Sequence, residues 1–201
     1  SKYIKLLLSL TIMFTIGCED SEDEAGATSV AFDIRRIDVK STGDSDVSQP
    51  ELVRFVSSTE GVIVNSKTNS LDFFGISGTG LTMGTASVTL TDDPEGESSS
   101  IDVSVDNSIS AGVVTKGACA KGELYLVEAA TKTKYGPYQL GYNPDAVDIS
   151  VDNQYVVVVN EYDYGDGVDG GCDSIARPGV TIYDISGLSL IHISEPTRLT
   201  S

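Results

Sequence analysis

Four aspartates, Asp163, Asp166, Asp169 and Asp173, punctuate the glycine-rich stretch Tyr162 to Asp173 directly after Glu161. Calcium takes about six to eight oxygens from flexible carboxylates and carbonyls, and this stretch offers them. The spacing is not that of an EF-hand, whose loop alternates acidic ligands around an invariant glycine before a distal glutamate. Glu161 follows an apolar run, Val156 to Val159. Its carboxylate should therefore emerge at the end of a strand, where it could ligate calcium, meet a substrate or simply be solvated. Nucleophilic catalysis has less to draw on. No Gly-x-Ser-x-Gly occurs, and the one histidine, His192, lies in a tail set aside below. No imidazole is then at hand to activate a serine. Gly75-Ile76-Ser77-Gly78-Thr79-Gly80-Leu81 has the glycines of a phosphate loop without the lysine and helix that complete one, and is expected to link repeat units.

The first residues carry an address. Lys2 and Lys5 precede the apolar run Leu6 to Ile16, which closes on Gly17 and Cys18. This is the charged, apolar and small-residue order of a secretory signal, and acidic residues from Glu19 onward end it well short of the roughly 20 apolar residues of a spanning helix. Thr15-Ile16-Gly17-Cys18 resembles a lipobox, with Thr15 where leucine is usual. Residues 1–17 are thus expected to be a cleaved lipoprotein signal peptide. Cys18 is the expected lipidation site, and the membrane the partner reached through its acyl chains. The acidic stretch after Cys18, within residues 18–29, reads as a solvated tether. It resembles the surface-export signals of Bacteroidetes lipoproteins, which implies an outer-membrane lipoprotein exposed at the cell surface. At the other end, Leu188 to Arg198 resembles a translated frame of a sequencing-library transposase adapter. Residues 188–201, His192 included, are therefore set aside as a non-native tail.

Acidic residues outnumber basic ones, 30 Asp plus Glu against 13 Lys plus Arg, for a net charge of −17. Such a field repels a phosphate backbone, so no nucleic acid is expected as a partner. Three cysteines are an odd number for an exported chain. If Cys18 carries lipid, Cys119 and Cys172 remain to form a disulfide, which an oxidising compartment permits. Two free thiols, or pairing with a cysteine elsewhere, are the alternatives.

The elements that must position these residues are strands. Helical periodicity is nearly absent, and short apolar runs recur between Gly, Asn, Asp and Ser clusters. Nine are legible: Leu52–Val56, Gly61–Val64, Leu71–Ile76, Ile101–Val105, Gly112–Thr115, Glu123–Glu128, Ala146–Val151, Tyr155–Val159 and Val180–Ile185. They also repeat. Pro50-Glu51, Pro94-Glu95 and Pro144-Asp145 open similar modules 44 and then 50 residues apart. An apolar-x-apolar strand ending at Ser57, Ser104 or Ser150 follows each. That period suits four-stranded propeller blades, which must stack to bury both faces. An immunoglobulin-like sandwich also spaces short strands this way but does not predict the same phrase three times. Residues 30–187 are thus expected to be an all-β, incomplete β-propeller holding about three blades.

Pro144 to Ser150, Asp152 to Glu161 and Pro178 to Ser186 resemble the propeller modules of the choice-of-anchor I proteins, often labelled alkaline phosphatase-like. Pro94-Glu95-Gly96 and Gly122 to Leu126 fit the same pattern. The resemblance covers roughly residues 50–186 and its most specific element is Asn160-Glu161. It implies a propeller and says little about a reaction. Two functions are then expected to compete. One is a non-catalytic anchored module that binds a glycan or protein through loops at one mouth. The other is a calcium-dependent phosphoesterase of propeller type, with Glu161, Asp163, Asp166, Asp169 and Asp173 as ligands. The scarcity of basic residues for phosphate favours the first.

Overall fold

Short apolar runs separated by tight Ser, Asp and Asn turns pair most readily with their sequence neighbours, because hairpin closure costs little chain entropy. The computed structural model of the protein shows that outcome three times over. It describes residues 35–117, 120–161 and 178–188. The chain divides into Ser1–Arg35 and Arg36–Ser201, and every described strand falls in the second unit.

The first sheet holds β1 (Pro50–Phe55), β2 (Glu60–Asn65), β3 (Ser70–Ser77) and β4 (Gly80–Thr89). The second holds β5 (Gly96–Val103), β6 (Ile109–Lys116), β7 (Lys121–Glu128) and β8 (Lys134–Tyr142). The third holds β9 (Pro144–Ile149), β10 (Tyr155–Asn160) and β11 (Gly179–Asp184). Each is an antiparallel meander with its strands in chain order, and no helix occurs among the described residues. The three sheets are successive blades of a β-propeller, opened by the proline-acid phrases read from the sequence.

Burial explains the stacking. In β2, β6 and β10 the middle of the strand is apolar on both faces, which one blade alone cannot cover. Val62, Val64, Leu71 and Phe73 of blade one pack with Ile101, Val114, Tyr125 and Val127 of blade two. The opposite face of blade two, with Ala111, Val113, Leu124 and Leu126, packs on Val147, Ile149, Val156 and Val158 of blade three. Polar clasps reinforce the first junction. Lys132 pairs with Glu60 at 3.0 Å while its ammonium lies 3.7 Å from the Phe73 ring centroid. Lys134 donates to the carbonyls of Thr89 and Leu90, each at 2.8 Å.

The turns repeat in atomic detail. After β5, Ser104 Oγ donates to Asp106 Oδ1 and accepts from the Ser108 and Ile109 amides. After β9, Ser150 Oγ does the same with Asp152, Gln154 and Tyr155. Asn107 and Asn153 sit at φ 61° and 58°, a left-handed conformation that asparagine tolerates. The serine turns also correct two expected boundaries. Val105 and Val151 belong to the turns, 64% and 86% exposed, because the strands end at Val103 and Ile149 and the hydroxyl of the next residue, a serine, takes over the hydrogen bonding.

The stretch Gly75 to Leu81 is not a link between blades. It is the β3–β4 hairpin within blade one, where Ser77 Oγ accepts from the Thr79 and Gly80 amides. The links are residues 90–95 and Asn143. β4 and β8 were not among the nine expected strands. Both are outer strands, largely solvent-facing, and their glycines, with Pro137 in β8, break the apolar alternation.

Candidate functional site

Each second strand of a blade ends on a polar residue in the same register: Asn65 opposite Pro50, Lys116 opposite Gly96, Asn160 opposite Pro144. Around these three positions the described polar groups of one end of the molecule gather.

At the first, the buried Asn65 accepts from the Gln49 amide and donates to Ser48 Oγ and Asp72 Oδ2. Asp72 also receives Ser70 and Ser87 hydroxyls. At the second, Lys116 Nζ lies 2.7 Å from Glu123 Oε1 and 3.1 Å from Asp93 Oδ2, and Tyr125 Oη donates to Glu123 Oε2 at 2.6 Å. Period-2 alternation puts Glu123 and Tyr125 on the same face of β7, toward blade one. The Glu123 hydrogen bond raises the Lys116 ammonium above its usual range. Burial, then the bond to Glu123, pushes the Tyr125 phenol up to about 12. The Glu95 amide, then Lys116, holds the Asp93 carboxyl below its usual range. Lysine and tyrosine here keep their protons at neutral pH. The cluster is therefore suited to hold shape and to present fixed charge, not to abstract a proton.

The cluster abuts a cleft of about 490 Å³ between the β2–β3 turn and the link into β5. Ser66, Lys67, Thr68 and Asn69 form one wall, and Thr91, Asp92, Asp93 and Glu97 the other. Asn69, at φ 50°, spans the base by donating to the Gly96 carbonyl and accepting from the Ser98 amide. The cleft is polar, open and carries both signs of charge.

At the third position Asn160 is buried and donates to Thr181 Oγ1 at 3.0 Å, while its Oδ1 has no hydrogen-bond partner among the described residues. Gly141 allows this side chain in, because a Cβ there would meet Asn160 Cγ at 2.6 Å. Glu161 is exposed just beyond the end of β10, its amide bonded to the Asn143 carbonyl at 2.8 Å. That is the position expected of it. The other anticipated site residues, Cys18, Cys119, Asp163, Asp166, Asp169, Cys172 and Asp173, lie outside the described residues. Among the described residues no three His, Cys, Asp or Glu side chains group as a metal site. The Lys116 cluster and the cleft were not anticipated. The Glu123-x-Tyr125 alternation, with Asp93 just ahead of the repeated proline, was the available signal.

Fold and site together define a β-propeller protein with a polar cleft between two blades. No known family and no curated protein matches the chain. Among solved structures it is similar to proteins provisionally assigned as 6-phosphogluconolactonases from Bacteroides uniformis and Bacteroides fragilis. The first is 14% identical with a TM-score of 0.49, covering 70% of this chain and 45% of that one. The second is 15% identical with a TM-score of 0.49, covering 69% and 43%. The Dos1 propeller is 12% identical with a TM-score of 0.43, covering 56% and 30%. The chain thus spans less than half the length of each.

Proposed function

We propose that this chain is the propeller part of an exported, lipid-anchored protein of choice-of-anchor I type, and that it binds a hydroxyl-bearing ligand, a glycan or a protein loop, in the cleft between blades one and two. The cleft carries the reading. Its walls pair hydroxyl and amide groups with Lys67 on one side and Asp92 and Glu97 on the other, and neighbouring Lys116 and Tyr125 hold their protons. Hydroxyl-rich ligands are recognised by such mixed donors and acceptors, and nothing in this arrangement generates a nucleophile. A glycan array probed with the protein tests the reading. Lys67→Ala and Asp92→Ala should each weaken any glycan retained by at least about tenfold, the worth of one hydrogen bond to a charged group. Retention that ignores both substitutions would remove the cleft from the proposal. The anchor is tested separately by feeding cells an alkyne-tagged fatty acid, whose incorporation should vanish in Cys18→Ala.

A second reading, calcium-dependent phosphoester hydrolysis, draws on the exposure of Glu161 at the same end of the molecule. It requires that calcium raise the melting temperature and that phosphate be released from a generic aryl ester. Absence of both effects rejects it.

A further inference from the structure

The loops of the blades gather at two ends. The end opposite the cleft holds the turns that follow the first and third strands of each blade. Four bonds bring them together there. The Ile76 amide donates to the Thr59 carbonyl and the Ala129 amide to the Ser108 carbonyl, each at 2.8 Å. Lys132 lies 3.0 Å from Glu60, and the Val105 amide donates to Asn153 Oδ1 at 2.8 Å. Apolar side chains stand in water at this end. Val105 and Val151 hold the same place in two Ser-Val-Asp-Asn turns, 64% and 86% exposed. Val105 is this open with the turn of the next blade already bonded beside it, so the exposure belongs to the turn and not to an uncovered sheet face. The neighbouring Asp106 and Asp152 direct their carboxylates to hydroxyls and amides of their own turns.

The chain enters blade one from that end. Asp38 Oδ2 accepts the Leu81 amide at 3.0 Å, at the start of β4. Gly80 leaves room for it, because a Cβ there would meet the same oxygen at 2.6 Å. From Asp38 the chain crosses to the cleft end, where the Gln49 amide donates to Asn65 Oδ1 at 2.9 Å. Ile37 and Val39, on either side of Asp38, are 54% and 69% exposed. The two ends therefore differ in character. Asp92, Asp93 and Glu97 stand around the cleft, and Ile37, Val39, Val105 and Val151 mark the other end, at which the chain upstream of Arg36 joins the blade.

We propose that the turn end is a membrane-contact surface, on which Ile37, Val39, Val105 and Val151 rest in the headgroup region of the bilayer that holds the acyl chains of Cys18, with the cleft facing away from it. This rests on the anchor read at Cys18. Apolar side chains grouped on the surface of a folded domain mark a partner or a membrane. The covalent path selects the membrane, since the segment that starts at Cys18 meets the blade at Asp38, among these side chains. A few valines bind a bilayer too weakly to act unaided. A tether changes that, because it holds them at an effective concentration of about a millimolar, at which a weak contact is filled. With a net charge of −17 the chain is repelled by anionic lipid, so the surface that fits it is zwitterionic.

The chain has no tryptophan, so a single one reports its own surroundings. Val105→Trp, Val151→Trp and, in the cleft wall, Asp92→Trp are each made in the mature chain, which begins at Cys18, behind a histidine tag. Each is bound to phosphatidylcholine vesicles through a nickel-chelating lipid. That attachment stands in for the acyl chains whether or not Cys18 is modified, so failure of the anchor reading, seen with the tagged fatty acid, and failure of this proposal are separate results. Brominated phosphatidylcholine should quench the tryptophans at 105 and 151 at least about twofold, as contact at headgroup depth requires. Their emission should also move to shorter wavelength, and that of the tryptophan at 92 should not change. Adding Ile37→Asp and Val39→Asp should weaken the quenching at 105 and 151. Equal quenching at all three sites, or none at any, overturns the proposal. A short-wavelength emission already present without vesicles, in a chain that sediments as a dimer, would assign the turn tips to a second copy and overturns it too.

Discussion

Asp102 joins three inner strands with one carboxylate, taking a guanidinium from β1 and a backbone amide from β9 while itself in β5. Its two bonds are unequal. Arg54 is 43% exposed in its side chain, so that pair is worth at most about 1 kcal/mol after screening. The amide bond lies between packed blades, and losing the carboxylate leaves that N–H without a partner. Asp102→Ala should therefore cost about 1.5–3 kcal/mol and Arg54→Ala under about 1 kcal/mol in denaturant melts. Equal costs would show that the ion pair, not the amide cap, matters. Tyr125 and Lys116 make a pH prediction. Both hold protons more tightly folded than unfolded, Tyr125 up to about 12 against a usual 10.0. Between those values the unfolded chain releases protons that the folded chain keeps, so stability must fall as pH rises through the window. Below pH 10.0 neither group contributes a slope. Tyr125→Phe should flatten the alkaline fall, and should remove from the tyrosinate absorbance of the folded protein a component titrating at about 12.

At the scale of elements, the serine turn is the unit that makes a blade. Ser104 is 1% exposed and its hydroxyl serves two amides and a carboxylate. Ser104→Ala should cost about 1–3 kcal/mol, because the buried Ile109 amide loses its acceptor, while the Ser108 amide keeps Asp106 Oδ1. Ser150→Ala, in the more exposed turn of blade three, should cost less, since water can replace the hydroxyl. Equivalent losses in the two variants would mean that burial does not set the cost. These turns were legible beforehand because Ser-x-Asp-Asn is local chemistry written in four adjacent residues. β2 and β6 were legible because burial on both faces demands unbroken apolar runs, and the first strands because they follow the repeated proline-acid phrase. β4 and β8 were not, since an outer strand with one face in water can carry Gly84 or Pro137 without exposing a core. The site divides on the same line. Glu161 could be placed from the strand it follows. The Lys116, Glu123, Tyr125 and Asp93 cluster joins two strands of blade two, β6 and β7, to the link before it, and only the packed sheet brings them together.

For the whole molecule, stability should behave as a sum of blade terms and junction terms, as in other stacked repeats. Blade two has both faces covered, by two apolar clusters of its own and its neighbours' side chains. Blade three has one covered face, and Val159, Val180 and Ile182 stand open on the other. Local opening draws on the least buried unit first. Native-state hydrogen exchange should therefore find the amides of Val113, Leu124 and Leu126 slowest, opening only with global unfolding. The ladder amides of β10 and β11 should exchange through a cheaper opening confined to blade three. Truncating a core side chain at each junction separates the two cases. Phe73→Ala, at the first junction, should cost about 3–5 kcal/mol and speed exchange in blades one and two together. Leu126→Ala, at the second, should cost about 2–5 kcal/mol and release blade three from blade two, speeding exchange in β9 to β11 far more than in β1 to β4. Uniform acceleration across all three blades in both variants would instead show a single cooperative unit, with the junctions too strong to open separately.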